Sequence, residues 1–153
     1  MDMKTLQYIR DLDNLKTKIE QEGDDEIKSY LVKLLCIRTA GLLEVFLKTR
    51  ISEYSKGKVP KEINRFMTSK FKDITNLKSS KFEDVLRSFS EEWSEKFRDY
   101  LDFHEQEKNS LDSVISQRHT IAHGQPSNIG SVSMMQYYND VKLIITYIDK
   151  IIR

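Results

Sequence analysis

The segment from 117 to 124 reads Gln-Arg-His-Thr-Ile-Ala-His-Gly and holds one arginine and two of the chain's 3 histidines. Histidine titrates near neutrality, so it can both accept and donate a proton. Arginine is a permanent cation whose forked donors suit a phosphate group. Cleavage of RNA by its own 2′-hydroxyl needs a base, an acid and a cation beside the phosphorane. Arg118 and His123 are therefore candidate catalytic residues.

Helical geometry limits how these side chains can cooperate. Residues five apart lie about 140° around a helix, so Arg118 and His123 do not share a face. They converge only if the last turn unwinds near Gly124, or if a second subunit completes the site. His119 and His123 are four apart and share a face, which is the spacing of a two-histidine metal clip. No carboxylate or third histidine is clearly placed to complete that clip, so we expect neither a metal nor another cofactor.

The elements that must position this motif are helices. Apolar residues recur at helical spacing, no segment alternates like a strand, and the chain has only 5 Gly and 2 Pro. We predict one all-α domain over 1–153, a compact bundle of about five to six helices. Asp24 or Asp25 is expected to cap the second helix, and Asn109 or Ser110 the motif helix. Capping boxes are expected at Ser80 and Ser133. The predicted helices cover about 4–21, 25–54, 60–71, 80–104 (with a restart or kink at 90), 109–123 and 133–152.

Three charged residues stand where the periodicity demands apolar ones. Arg118 continues the predicted core stripe of the motif helix, and Arg38 continues that of the central helix, which includes Leu34. Glu44 sits in an almost wholly apolar run. A charge buried alone costs several kcal/mol, so each needs a partner, water or a cleft. We expect Arg118 to lie near Glu44 or Arg38, as a salt bridge between packed helices, unless an arginine keeps its head group in water.

The net charge and the single cysteine limit which other functions the chain can have. A net charge of +1 argues against a whole-surface nucleic-acid binder. The charge is uneven, however: 48–81 holds ten basic and three acidic residues, whereas 82–112 holds four basic and ten acidic ones. We interpret both segments as solvated helical faces, although the basic one could guide an anionic substrate. Cys36 has no partner for a disulfide and is expected to be a buried free thiol.

The longest apolar stretch, Leu31 to Leu47, is broken by charged residues and is too short to span a bilayer. The first ten residues carry charges where a secretion signal would be apolar. We therefore expect a soluble, cytoplasmic protein that does not contact a membrane.

The motif resembles the HEPN superfamily, and specifically its prokaryotic RiboL-PSP-type domains. That superfamily is defined by an Arg, a polar residue, a short spacer and a His, and Arg118 to Gly124 fits this pattern. The run Arg38-Thr-Ala-Gly-Leu-Leu-Glu44 also resembles the central helix of the family. The closing helix after a short loop is similar too, so the resemblance covers nearly the whole chain. Asn or Asp is commoner at the position of His119, which is a departure from the pattern.

The resemblance implies a helical bundle that forms a homodimer, with the two motifs facing one cleft. It implies that Arg118 and His123 are catalytic residues of a metal-independent endoribonuclease that cleaves RNA and not DNA. Relatives of this kind act as toxins or as effectors of anti-phage defence, some with an antitoxin or another companion protein. The resemblance also implies that His119 is the polar residue that supports Arg118 and His123, and the departure from the pattern makes His119 a candidate second proton carrier, or a sign of changed activity.

Two further interpretations stay open at this stage. The chain could be a non-catalytic HEPN module that uses the same cleft for dimerisation or for binding RNA, a nucleotide or a protein partner. It could also be an ordinary helical interaction domain in which Arg118 forms a core salt bridge. The intact Arg118 and His123 favour catalysis, because a structural module has no evident need for both.

Overall fold

The computed structural model describes all of residues 1–153 and contains helices but no strands. Seven α-helices are present, against the five to six that we predicted, because Ser90 fully separates two helices where the sequence left a restart or a kink open. A single 3-10 turn, Phe71–Asp73, follows the third helix. The helices are α1 Met3–Gln21, α2 Asp25–Ser55, α3 Lys61–Ser69, α4 Ser79–Phe89, α5 Glu91–Phe103, α6 Glu105–Ala122 and α7 Ser131–Ile151.

Side-chain caps begin three of these helices. The Asp24 carboxylate accepts a hydrogen bond from the Ile27 amide at 3.0 Å, which satisfies one of the free donors at the start of α2. Asp2 caps α1 in the same way. Ser90 accepts from the Trp93 amide and so begins α5 directly after α4 ends. The predicted cap at Asp24 is thereby confirmed.

The predicted starts of three other helices were wrong. Ser80 lies inside α4, which begins one residue earlier, and Ser133 lies inside α7, which begins two residues earlier. The N-cap residue of neither helix forms a side-chain hydrogen bond. The motif helix α6 begins at Glu105 rather than near Asn109. Its first turn is charged and exposed, so it carries no apolar periodicity from which its start could be predicted.

The long helix α2 packs against α1, α6 and α7, and it is the central element that the sequence predicted. Its buried face differs from the predicted one, however. Leu35 and Leu42 are buried as expected, but Leu34 is 43% exposed, and the core contacts run instead through residues such as Val32, Thr39 and Phe46. Because the helix is apolar nearly all round, the spacing of its apolar residues does not show which side faces the core.

Two contacts hold α6 in place within the bundle. The Cys36 thiol of α2 donates to the Val114 carbonyl of α6 at 3.6 Å, and burial raises the pKa of that thiol to about 12. Cys36 is thus the buried free thiol that we predicted. One turn nearer the start of α6, the buried Ser110 hydroxyl donates to the Asp140 carboxylate of α7 at 2.6 Å. None of the helices combines the length and the apolar character that crossing a bilayer requires.

Candidate functional site

The motif lies at the C-terminal end of α6, where the helix stays regular to its last residue. The His123 amide still donates to the His119 carbonyl at 3.1 Å. The Gly124 amide then donates to Ile121 and the Gln125 amide to Thr120, which is the hydrogen-bond pattern of a Schellman cap. Gly124 has a φ of +67°, in the left-handed region that this cap requires of the residue after the helix.

This regular ending decides one question that the sequence left open. The last turn does not unwind, so Arg118 and His123 keep their angular separation of about 140° within one chain. Arg118 is half-buried on the side of α6 that faces the core, whereas His123 is exposed. Unwinding of the last turn, one of the two routes to convergence that the sequence left open, is therefore not observed.

Arg118 is held by a residue from a distant part of the chain. Its Nη1 donates to Oδ1 of Asn76 at 3.1 Å. Asn76 is the only residue other than glycine with a positive φ, at 51°. Asparagine tolerates this left-handed conformation better than most residues do. Such backbone conformations persist where the surroundings hold them, often at functional sites.

The loop that carries Asn76 is anchored on both sides. Ile74 and Leu77 are buried in the core. The amide and the hydroxyl of Ser79 both donate to the Asp112 carboxylate of α6, at 2.7 and 2.9 Å. The loop is therefore fastened to the same helix that carries the motif, and it presents Asn76 to Arg118 in a defined position.

A cleft of about 480 Å³ lies between this loop and α6. Asn76 and Lys78 line it from the loop, and His119 lines it from the helix, together with Ile115, Ser116 and Thr120. The His119 ring lies against the His123 ring, with 4.2 Å between their centroids. His119 is thus a wall of the cleft, and His123 stands beside it at the exposed end of the helix.

The sequence did not indicate Asn76 or Lys78 as site residues. An asparagine and a lysine in a polar loop have no distinctive spacing, and Asn76 is 42 residues away from Arg118. The only available signal was the excess of basic residues between 48 and 81, to which Lys78 belongs.

The salt bridges expected of Arg38 and Glu44 do not form. Neither forms a salt bridge with Arg118 or with the other. The guanidinium of Arg38 lies 5.2 Å from the centre of the Tyr8 ring, and Glu44 is partly exposed. Arg38, Glu44 and Arg118 all keep access to water at the edge of the core. The free-energy cost of burying an unpaired charge, which was expected to bring them together, therefore does not arise.

The structure also bears on metal ligands. His119 and His123 lie side by side, but no group of three or more His, Cys, Asp or Glu residues is arranged to hold a metal ion. The remaining histidine, His104, lies at the junction of α5 and α6, where its ring stacks on Tyr100.

This arrangement can be compared with known protein families. A model of RiboL-PSP-HEPN matches residues 4–153. The chain belongs to the RiboL-PSP-HEPN family. No curated protein and no solved structure matches it. Membership confirms the resemblance that the motif suggested, and the all-helical fold is consistent with it.

HEPN domains generally include ribonucleases, and they often form dimers. This RiboL-PSP-HEPN chain carries the defining Arg118 and His123, with His119 at the polar position between them. Family membership therefore agrees with the chemistry that these residue types permit.

Proposed function

We propose that this RiboL-PSP-HEPN domain is a metal-independent endoribonuclease that works as a homodimer. The observation that carries the proposal is an arginine and two histidines at the C-terminal end of one helix, next to a cleft that His119 lines. Asn76 holds Arg118, His119 lines the cleft, and His123 stands beside His119. These residues supply a cation and two proton carriers in one region, as phosphodiester cleavage requires.

The proposed mechanism starts with the 2′-hydroxyl of the substrate. One histidine removes its proton, and the 2′-oxygen attacks the adjacent phosphorus to form a phosphorane. Arg118 stabilises the extra negative charge through its forked donors. The bond from phosphorus to the 5′-oxygen then breaks, and that oxygen leaves with a proton from the other proton carrier. The products are a 2′,3′-cyclic phosphate and a 5′-hydroxyl, and DNA, which lacks the nucleophile, is not cut.

The regular end of α6 is the reason for proposing a dimer. Within one chain, Arg118 and His123 point in directions about 140° apart, so a complete site would combine Arg118 of one chain with His123 of the other. An unpaired apolar face on α2 supports such an assembly. It consists of Ile27, Tyr30, Leu34 and Ile37, which are 48%, 61%, 43% and 39% exposed and follow one side of the helix.

The outer face of α6 supports RNA as the substrate. It carries mostly uncharged hydrogen-bonding side chains on the side that leads to the motif, with Glu105 and Asp112 as its charged residues, in a chain with 32% charged residues. Tyr137 of α7 borders the same face. Amides and hydroxyls can bind the edges of unpaired bases, and the exposed part of a half-buried tyrosine ring can stack on them. The residues of this face are Gln106, Asn109, Ser113, Ser116, Gln117 and Thr120.

The experiment that tests this function is cleavage of a defined single-stranded RNA in the presence of EDTA. We expect activity to persist, because the proposed residues act without a bound metal. We expect products that end in a 2′,3′-cyclic phosphate or, after its hydrolysis, a 3′-phosphate, identified by mass spectrometry. A substrate with a 2′-O-methyl group at the cleavage position should remain intact, because its nucleophile is blocked.

Two results would contradict the proposal. Products ending in a 3′-hydroxyl would mean that water, rather than the 2′-hydroxyl, attacks phosphorus. Binding of RNA without any cleavage by the folded dimer would instead support the alternative, a non-catalytic HEPN module that uses the same cleft for RNA, a nucleotide or a protein partner. Toxin or defence activity, with an antitoxin or another companion, belongs to the same proposal and rests on the family alone.

A further inference from the structure

A second cavity lies far along the chain from the motif, between the C-terminal part of α2 and the segment that contains α3 and the 3-10 turn. Its volume is about 670 Å³, and 10 of its 15 lining residues are hydrophobic. Pockets that enclose small ligands typically measure about 300–1,000 Å³ and are mostly apolar with a few polar groups. This cavity has both properties, and none of the residues proposed for RNA cleavage lines it.

The helix α3 covers this cavity but does not fill it. No residue of α3 is buried, although the helix has a strongly apolar side. Ile63 and Phe66 are 54% and 64% exposed, and both line the cavity. A helix of this kind normally buries its apolar side against a neighbouring element. Here that side faces open space, so an apolar ligand would cover surface that the protein itself leaves uncovered.

Two lysines at the cavity give it a charge preference. Lys58 Nζ lies 3.9 Å from the centre of the Tyr54 ring, and Lys70 Nζ lies 5.3 Å from that of Phe66. Neither lysine takes part in a salt bridge. Asp73 is the only acidic residue in the lining. Two unpaired cations beside an apolar cavity suit a ligand with an anionic end and an apolar body.

We propose that this cavity binds a small anionic amphiphile, such as a carboxylate on an acyl chain. The cavity would enclose the apolar body, and Lys58 and Lys70 would bind the anionic group. A small molecule suits the cavity better than a protein partner does. A stable protein interface covers about 800 Å² on each side, whereas this site is a single concave pocket that is open on one side.

Isothermal titration calorimetry of the full chain with dodecanoate, below its critical micelle concentration, tests the proposal. Dodecanoate should bind at least about tenfold more tightly than dodecyltrimethylammonium, which has the same chain and the opposite charge. Replacing both Lys58 and Lys70 with Gln should weaken dodecanoate binding at least about tenfold and leave the cationic ligand unaffected. Lys72→Gln is the matched control, because Lys72 is exposed in the same segment but does not line the cavity.

A variant whose new side chain fills the cavity shows whether dodecanoate binds there or elsewhere on the surface. Ser88 is exposed and lines the cavity, so Ser88→Trp should abolish dodecanoate binding without lowering the melting temperature. Equal affinity for the two detergent ions, or unchanged dodecanoate binding by Ser88→Trp, would overturn the proposal. Binding to vesicles that contain phosphatidylglycerol, without binding to free dodecanoate, would also overturn the proposal, because it would indicate that the ligand is a membrane surface. A change in oligomeric mass caused by Ser88→Trp would overturn it as well, because it would indicate that another copy of the chain fills the cavity.

Discussion

Replacing His123 with Ala should lower kcat for RNA cleavage by about 10²–10⁴-fold, which is the usual contribution of general acid–base catalysis. His123 is exposed at the end of α6, and its side chain supports no packing in the core. The Schellman cap is formed by backbone groups, so it persists in the variant. The loss should therefore appear in kcat while the melting temperature and the helical circular dichroism stay unchanged.

The other two histidines provide matched controls for this prediction. His104→Ala makes the same chemical change outside the motif, where the ring stacks on Tyr100 and its Nδ1 hydrogen-bonds the Tyr100 carbonyl oxygen, and it should keep full activity. His119→Ala should give an intermediate loss, because His119 lines the cleft and lies against His123. Full activity of a folded His123→Ala protein would remove His123 from the site. If His119→Ala alone were inactive, the proton transfer would belong to His119.

Arg118→Ala should lower kcat by about 10²–10³-fold, because it removes the cation that stabilises the phosphorane. The single-turnover rate on the same RNA measures this effect without interference from product release. Arg118→Lys should recover only part of the activity, since lysine keeps the charge but lacks the forked donors. Activity of Arg118→Ala equal to that of the unaltered protein would show that Arg118 has no part in the chemistry.

A change at Asn76 tests whether catalysis depends on the position of Arg118 as well as on its charge. Asn76→Gly retains the left-handed backbone, which glycine adopts freely, but removes the acceptor for Arg118. We expect a smaller loss of kcat than for Arg118→Ala, with RNA affinity nearly unchanged. If Asn76→Gly were fully active, the hydrogen bond would not position the arginine for catalysis.

Much of the helical fold could be predicted from the sequence. The bounds of α1 and α2 followed from apolar spacing together with the cap at Asp24, and the end of α6 followed from Gly124. These signals are local, so they can be recognised without knowing the tertiary structure. The start of α4 depends instead on Ser79 bonding to Asp112, which is 33 residues away, and such a partner has no local signature.

The site was predictable in its residue types but not in its partners. The motif at Arg118, His119 and His123 was apparent because three functional side chains occur together at a helix end. The pairing of Arg118 with Asn76 was not predictable, since it depends on how a polar loop is fastened against α6. The expected salt bridge of Glu44 failed for a related reason: periodicity gives a direction around a helix, but not the depth of a side chain below the surface.

The central claim is that Arg118 of one chain and His123 of another complete one site. Mixing the inactive Arg118→Ala and His123→Ala proteins tests it, after unfolding and refolding together to exchange subunits. In a mixed dimer, one of the two sites would then contain both intact residues. A control mixture that also carries Leu34→Glu in both chains should stay inactive, because a charge on the exposed face of α2 opposes pairing.

The measurement is the rate of RNA cleavage by the mixture, in EDTA, compared with each variant refolded alone. Random pairing makes half of the dimers mixed, and each has one complete site, so the account predicts recovery to about one quarter of the activity of the unaltered protein. If the mixture formed dimers by light scattering but stayed as inactive as its components, Arg118 and His123 would not act across the subunit interface, and the proposed site would be wrong.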